Sequence, residues 1–170
     1  VYCDEFRFED GENFPDKAEC DEFDDYAIQC LISHKASGIP AGCVRLVQAT
    51  VNANYHILPF EKYCASGLDN DYLHGLDMDR GSICEISRLM VDGSFRQRSG
   101  ETLTHLGRLN AMDFSRHEER TFSPVAVAGY LATTALTAIT GRTNVFAMME
   151  PFLPEVLLGA GINFRRVGSD

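Results

Sequence analysis

Residues 83–91 read ICEISRLMV, and the architecture turns on this run. Its apolar and β-branched residues mark a strand, yet Glu85, Ser87 and Arg88 stand in its middle. Period-two alternation puts Glu85, Ser87 and Leu89 on one face and Ile86, Arg88 and Met90 on the other. Unpaired charge inside a sheet is costly. Two explanations stay open at this point. Arg88 and Glu85 are simply paired, Arg88 with a carboxylate from upstream and Glu85 with Arg45, or they carry chemistry.

The flanks give the strand its neighbours. Residues 26–33 (YAIQCLIS) and 42–49 (GCVRLVQA) read as strands joined by the turn residues 35–40 (KASGIP), a β-hairpin that carries Arg45. Pro59 opens a short helix (FEKYCAS) that Gly67 stops, and residues 69–81 read as an acidic, glycine-containing loop. Residues 1–10 suit a helix end broken at Gly11 and Pro15. Residues 101–119 read as a helix, although Leu103, Leu106, Leu109 and Met112 recur every three residues and drift around it. Residues 125–139 (VAVAGYLATTALTAI) are apolar or small on nearly every side, which predicts a buried helix capped at Gly141. A strand at 144–149, a short helix at 154–158 and a last strand at 162–167 complete the pattern. Such alternation predicts an α/β fold, a mixed central β-sheet flanked by helices, and 170 residues suit one domain spanning 1–170.

Composition narrows the function. With 45% apolar and 24% charged residues the chain is an ordinary globule, and no apolar run approaches the roughly 18 residues of a membrane span. A formal net charge of −10 excludes a nucleic-acid surface, which needs clustered Lys and Arg. The charge is uneven: acids crowd residues 4–25, whereas Arg88, Arg96, Arg98, Arg108, Arg116 and Arg120 follow one another later. Those arginines are either solubilising charge or a face for an acidic partner. The 6 cysteines include no CxxC or Cys/His knuckle, which predicts reduced core thiols of a cytoplasmic protein. No metal site is expected, because neither residues 19–25 nor Asp69-Asn70-Asp71 has the spacing of a calcium loop.

Taken as chemistry, Glu85 and its neighbours meet the needs of acyl transfer to an amine: a carboxylate to take the proton and donors to polarise a thioester carbonyl. No nucleophile elbow or Cys/His motif points instead to a covalent intermediate.

The order Tyr2, Phe8, Glu19-x-Asp21-x-x-Asp24, Arg45 within a strand, then Glu85-x-Ser87-Arg88 resembles the acyl-homoserine-lactone (autoinducer) synthases over residues 1–92. The phrases FEDGENFPD, ECDEFDDYA, SGIPAGCVRLV, LPFEKYC, EISRLMV and FAMMEP are similar to the acyltransferases associated with PEP-CTERM and exosortase systems, a branch near the long-chain N-acyl amino acid synthases. Both groups belong to the GNAT superfamily. The resemblance implies a GNAT-like (acyl-CoA N-acyltransferase) fold, with the thioester held where two central strands splay apart. It makes Arg45, Glu85, Ser87 and Arg88 the site on the sheet, and Glu19, Asp21 and Asp24 an acidic wall that pairs with arginine and holds the N-terminal segment. Tyr2 and Phe8 would lie over the substrate. It also implies an acyl carrier protein or CoA thioester as co-substrate, no bound cofactor, and a small amine such as an amino acid as acceptor. Arg96, Arg98 and Gly100 form a partial pyrophosphate loop for phosphopantetheine. Phe146, Met148 and Met149 with small residues from Ala126 to Ala138 would line an acyl tunnel, or are ordinary core. Against the family pattern, extreme N- and C-terminal segments are expected to be missing. The alternatives are a short-chain acetyl-CoA N-acetyltransferase and a catalytically idle acyl-binding module.

Overall fold

The computed structural model describes residues 11–14, 19–35, 37–50, 57–92, 124–151 and 153–168. The expectations for Cys3, for residues 1–10 and 101–119, for Tyr2 and Phe8, for the loop with Arg96, Arg98 and Gly100, and for the arginines beyond Arg88 up to Arg120 lie outside them.

Strands β1 (Ala27–Ser33) and β2 (Pro40–Gln48) form the expected hairpin, in antiparallel register from Ala27 opposite Val47 to Ser33 opposite Pro40. Gly38 makes the reversal possible: its φ of 72° lies where only glycine is unstrained, and its N–H donates to the carbonyl of His34 at 2.8 Å. Helix α1 (Pro59–Tyr63) follows, with Pro at its first position, and then a short α2 (Asn70–Gly75). Strand β3 (Ile83–Val91) coincides with the run that opened the reading. Helix α3 (Pro124–Thr140), β4 (Asn144–Ala147) and α4 (Leu153–Gly159) complete the order. The sheet runs β1-β2-β3-β4, antiparallel twice and then parallel between β3 and β4. It is therefore mixed, with helices packed on it, as the alternation predicts.

Four expectations change. Residues 69–81 are not all loop: the Asp69 side chain accepts from the Tyr72 N–H at 2.9 Å and so caps α2, whose Leu73 packs on the core. Residues 162–167 do not form a strand; the Asp69 N–H donates to the Val167 carbonyl, Gly168 makes a lone bridge to Leu68, and Arg165 lies over the Tyr72 ring at 4.7 Å. The tail thus spends its backbone and charge on the α2 entry rather than on the sheet. Helix α3 is buried on one face only. Gly129, Tyr130, Thr133 and Thr137 face inward, while Leu131 and Ile139 are 63% and 80% exposed. Its buried hydroxyls are satisfied within the helix, Thr133 donating to the Tyr130 carbonyl and Thr137 to that of Thr134, both at 2.8 Å. Gly141, at φ 69°, ends the helix as predicted. The thiols are less buried than expected: Cys84 lies in the core, Cys30, Cys43 and Cys64 are half-buried, and Cys20 is exposed, all five unbridged.

The sheet separates two apolar layers. On one face Phe23, Val47, Ala49, Leu58, Phe60, Ile83 and Phe146 pack beneath α1; on the other Val44, Leu46, Cys84 and Ile86 meet Leu136 of α3. Helix α3 comes close to the sheet because glycine stands at the crossings. A Cβ on Gly42 would sit 2.6 Å from the Met90 carbonyl oxygen and 2.9 Å from Val125 Cγ1. Gly42→Ala is expected to cost about 1 to 3 kcal/mol in denaturant melts by overpacking. Gly75→Ala, where nothing lies within 4 Å, is expected to be neutral or slightly stabilising. Equal stability of the two variants would contradict the close approach.

Candidate active site

In β3 the alternation breaks at one residue. Cys43 stands opposite Met90 and Arg45 opposite Ser87, so Val44 faces both Arg88 and Leu89. Arg88 takes φ 51°, unusual for a residue with a side chain, and the extra residue forms a bulge. Arg88 therefore joins Glu85 and Ser87 on the α1 face, and Leu89 turns toward α3, where its Cδ1 lies 2.6 Å from the place of a Gly129 Cβ. Strict alternation predicts the reverse for both residues.

The bulge assembles an ion-pair network. Arg45, only 2% exposed, donates from Nη1 to Asp21 Oδ1 at 2.7 Å and Asp24 Oδ1 at 2.9 Å, and from Nε to Ser87 Oγ at 3.0 Å. Arg88 Nη2 donates to Asp21 Oδ2 at 2.9 Å, and Nη1 meets Glu19. Asp21 thus bridges the two guanidiniums. Burial works against the charge on Arg45, but the hydrogen bonds from Asp21 and Asp24 outweigh it and hold its pKa above the ordinary value. Burial likewise works to raise Asp24, but the Arg45 guanidinium, the Asp21 N–H and the Gln29 amide together outweigh it, leaving the carboxyl below its usual range. The pairing of Arg88 with the acidic run is as read from the residues. The carboxylates of the acidic wall pair with arginine, Arg45 and Arg88; the N-terminal segment that the wall is expected to hold lies outside the described residues.

Glu85 does not pair with Arg45, contrary to the simple ion-pair expectation, because the bonds of Arg45 go to Asp21, Asp24 and Ser87. The Glu85 carboxyl is fully buried, and one oxygen, Oε2, accepts the Phe60 N–H at 2.8 Å. The other, Oε1, has no hydrogen-bond partner among the described residues. Burial raises its pKa to about 8, against lowering by the Phe60 N–H and by Arg45. A carboxyl so placed is a candidate acid or base.

Of the remaining residues read from the sequence, Phe146 pairs with Glu85 across the parallel ladder and stacks on Phe60, ring centroids 4.6 Å apart. Met148 is 43% exposed and lies against Cys64, Sγ to Sδ 3.2 Å. The residues 126–138 belong to α3 on the opposite face from Phe146, so the two sets do not line one tunnel. The sequence reading missed Phe60, whose role is played by a backbone N–H, and Glu61, whose carboxylate binds Arg80. The Pro-Phe-Glu start of a helix was the available signal. Among the described residues, no group of three or more His, Cys, Asp and Glu side chains converges as a metal site would. Nor is any helix among them long and apolar enough to cross a membrane.

The parallel ladder stops at Ile86 opposite Ala147, while β3 continues to Val91. A mixed four-stranded sheet flanked by helices is the frame of an α/β acyl-CoA N-acyltransferase fold. The family model for the acetyltransferase (GNAT) domain matches residues 1–105, and the chain belongs to that family of acyltransferases. No curated protein and no solved structure gives a significant match.

The raised pKa of Glu85 has a sign that melts can read. The folded chain holds this proton up to about pH 8, whereas an ordinary glutamate releases it near 4.5. Folding stability from this group is complete below 4.5 and is lost as pH rises to about 8. Relative to Glu85→Gln, whose amide does not titrate, the parent chain is therefore expected to lose stability across that window. Parallel stability curves for the two chains between about pH 5 and pH 9 would show that Glu85 is not buried as described.

Proposed function

We propose that the protein transfers a fatty acyl group from an acyl carrier protein or CoA thioester to the amine of a small, amino-acid-like acceptor by direct attack. The observation that carries the reading is the buried Glu85 carboxyl, one oxygen of which has no hydrogen-bond partner among the described residues, one position before the end of the β3–β4 ladder. The acceptor nitrogen attacks the thioester carbonyl carbon as Glu85 Oε1 takes its proton, directly or through a water. The C–N bond forms, the C–S bond breaks, and the leaving thiolate takes up the proton from Glu85, directly or through a water, to depart as the thiol.

A base of pKa about 8 is ionised in only roughly one tenth of molecules at pH 7, but it accepts a proton far better than an ordinary carboxylate, and catalytic bases work best near the operating pH. In this reading Arg45 and Arg88, held by the acidic wall of Glu19, Asp21 and Asp24, orient the substrates and fix the bulge. Ser87 holds the acceptor or the pantetheine arm. Tyr2 and Phe8 cover the substrate, Phe146 and Met148 meet the acyl side, and Arg96, Arg98 and Gly100 meet the phosphopantetheine. The arginines from Arg88 to Arg120 suit an acidic carrier protein. The sequence resemblance to N-acyl amino acid and autoinducer synthases supports a long-chain donor. The family model's description as an acetyltransferase favours a second reading, a short acyl group from CoA.

Extracts of cells overproducing the protein, compared by mass spectrometry with a Glu85→Gln strain, are expected to contain N-acyl compounds found only with Glu85. Their mass identifies chain length and acceptor together. With purified protein, Glu85→Gln is expected to lower kcat by about 100-fold or more. The kcat/KM of the parent is expected to rise with pH and level off above about 8, as Glu85 ionises. Indistinguishable extracts together with binding of acyl thioester would leave an idle acyl-binding module in place of the enzyme.

A further inference from the structure

Helix α1 presents the Phe60 N–H to Glu85, but at five residues it is too short to hold itself in place. Its outer anchor is Glu61. One oxygen of Glu61 reaches back to the Leu58 N–H at 2.7 Å, the half of a capping box that needs no polar N-cap residue. The same carboxylate receives both arms of Arg80, Nη1 to Oε1 at 2.5 Å and Nη2 to Oε2 at 2.7 Å. Arg80 belongs to the single turn Arg80–Ser82 that leads directly into β3. The start of β3 and the start of α1 are thus tied at two points, Arg80 to Glu61 and Glu85 to Phe60.

We propose that Arg80 is a positioning residue for the acyl-transfer site: its two-pronged bond to Glu61 sets α1 so that the Phe60 N–H holds one oxygen of Glu85 and leaves the other for the acceptor. The assignment of Glu85 as the base rests on the acyltransferase reading; the geometric claim about Arg80 does not.

The charged groups that face Glu85 are Arg45 from β2, Glu61 from α1 and Asp21 from the segment ahead of β1, with the Cys84 thiol next to it in β3. The Phe60 N–H and Arg45 favour its ionised form; Glu61 and Asp21 oppose it. Loosening α1 weakens the Phe60 bond and moves Glu85 titration upward. Lysine at position 80 keeps the charge but cannot grip both oxygens, so Arg80→Lys separates positioning from simple charge, and Arg80→Met removes both.

Two readouts test this on the full chain. The first needs no turnover: the stability difference between Glu85 and Glu85→Gln chains, followed against pH on the Arg80, Arg80→Lys and Arg80→Met backgrounds. Its inflection is expected to move up by about 0.5 to 1 unit in both Arg80 variants, the size of shift that loss of one hydrogen bond to a carboxylate supports. The second is the kcat/KM profile, whose inflection should move by the same amount. An inflection in Arg80→Lys that matches the parent would overturn positioning, because retained charge alone would then suffice. Movement in the stability readout with no acyl transfer by the parent chain upholds the role of Arg80 and overturns the proposed reaction instead.

Discussion

Two guanidiniums on the inner face of a sheet have to be neutralised, and most of the described architecture on that face follows from how this is done. Arg45 and Arg88 sit on neighbouring strands, and Asp21 bonds both. The segment ahead of β1 is drawn over the sheet by this pairing, and its Phe23, 2% exposed, is delivered into the apolar layer beneath α1. A buried ion pair adds little net stability compared with an apolar pair, but losing one partner leaves a stranded charge worth about 3 to 5 kcal/mol. Each of these ion pairs joins the segment ahead of β1 to β2 or β3, so sliding that segment along the sheet would break them.

The bulge makes that arrangement available. An unbroken β3 would send Arg88 to the α3 side, into the apolar layer of Ile86 and Val44. The left-handed backbone at Arg88 costs something of order 1 kcal/mol, less than a stranded guanidinium. The same extra residue turns Leu89 toward α3 and comes just after the β3–β4 ladder ends. Charge neutralisation and core packing thus both turn on one inserted residue.

How much of this the sequence shows depends on the range of the interaction. The bounds of β3, the hairpin, the helix opened by Pro59 and the cap at Gly141 are local, set by alternation, turn residues and φ preferences, and all are readable. So is α2 in principle, since Asp69 ahead of Tyr72 and Leu73 is a capping pattern, but the glycines and acids around it favour a loop on composition. The bulge is not readable, because Arg at that position has no local preference for a positive φ; a demand from Asp21, 67 residues away, imposes it. Nor is the partner of Glu85, since a backbone N–H leaves no mark in side-chain identity. Mistaking α3 for a helix buried all round has a similar cause. Its outer Leu131 and Ile139 are as apolar as its inner face, so pattern alone offers no direction.

The two kinds of acid on this face end in opposite states for one physical reason. Asp24 is partly buried yet bonded to a cation, so it stays ionised. Glu85 is more deeply buried and receives a single neutral N–H, so it keeps its proton near neutrality. Had Arg45 turned to Glu85, Asp24 would have lost its guanidinium and Asp21 would have kept its bond to Arg88 alone of the two. Within the network Arg45 favours ionisation of Glu85 and Asp21 opposes it, so the bonds that hold the guanidiniums in place also act on the state of the buried carboxyl.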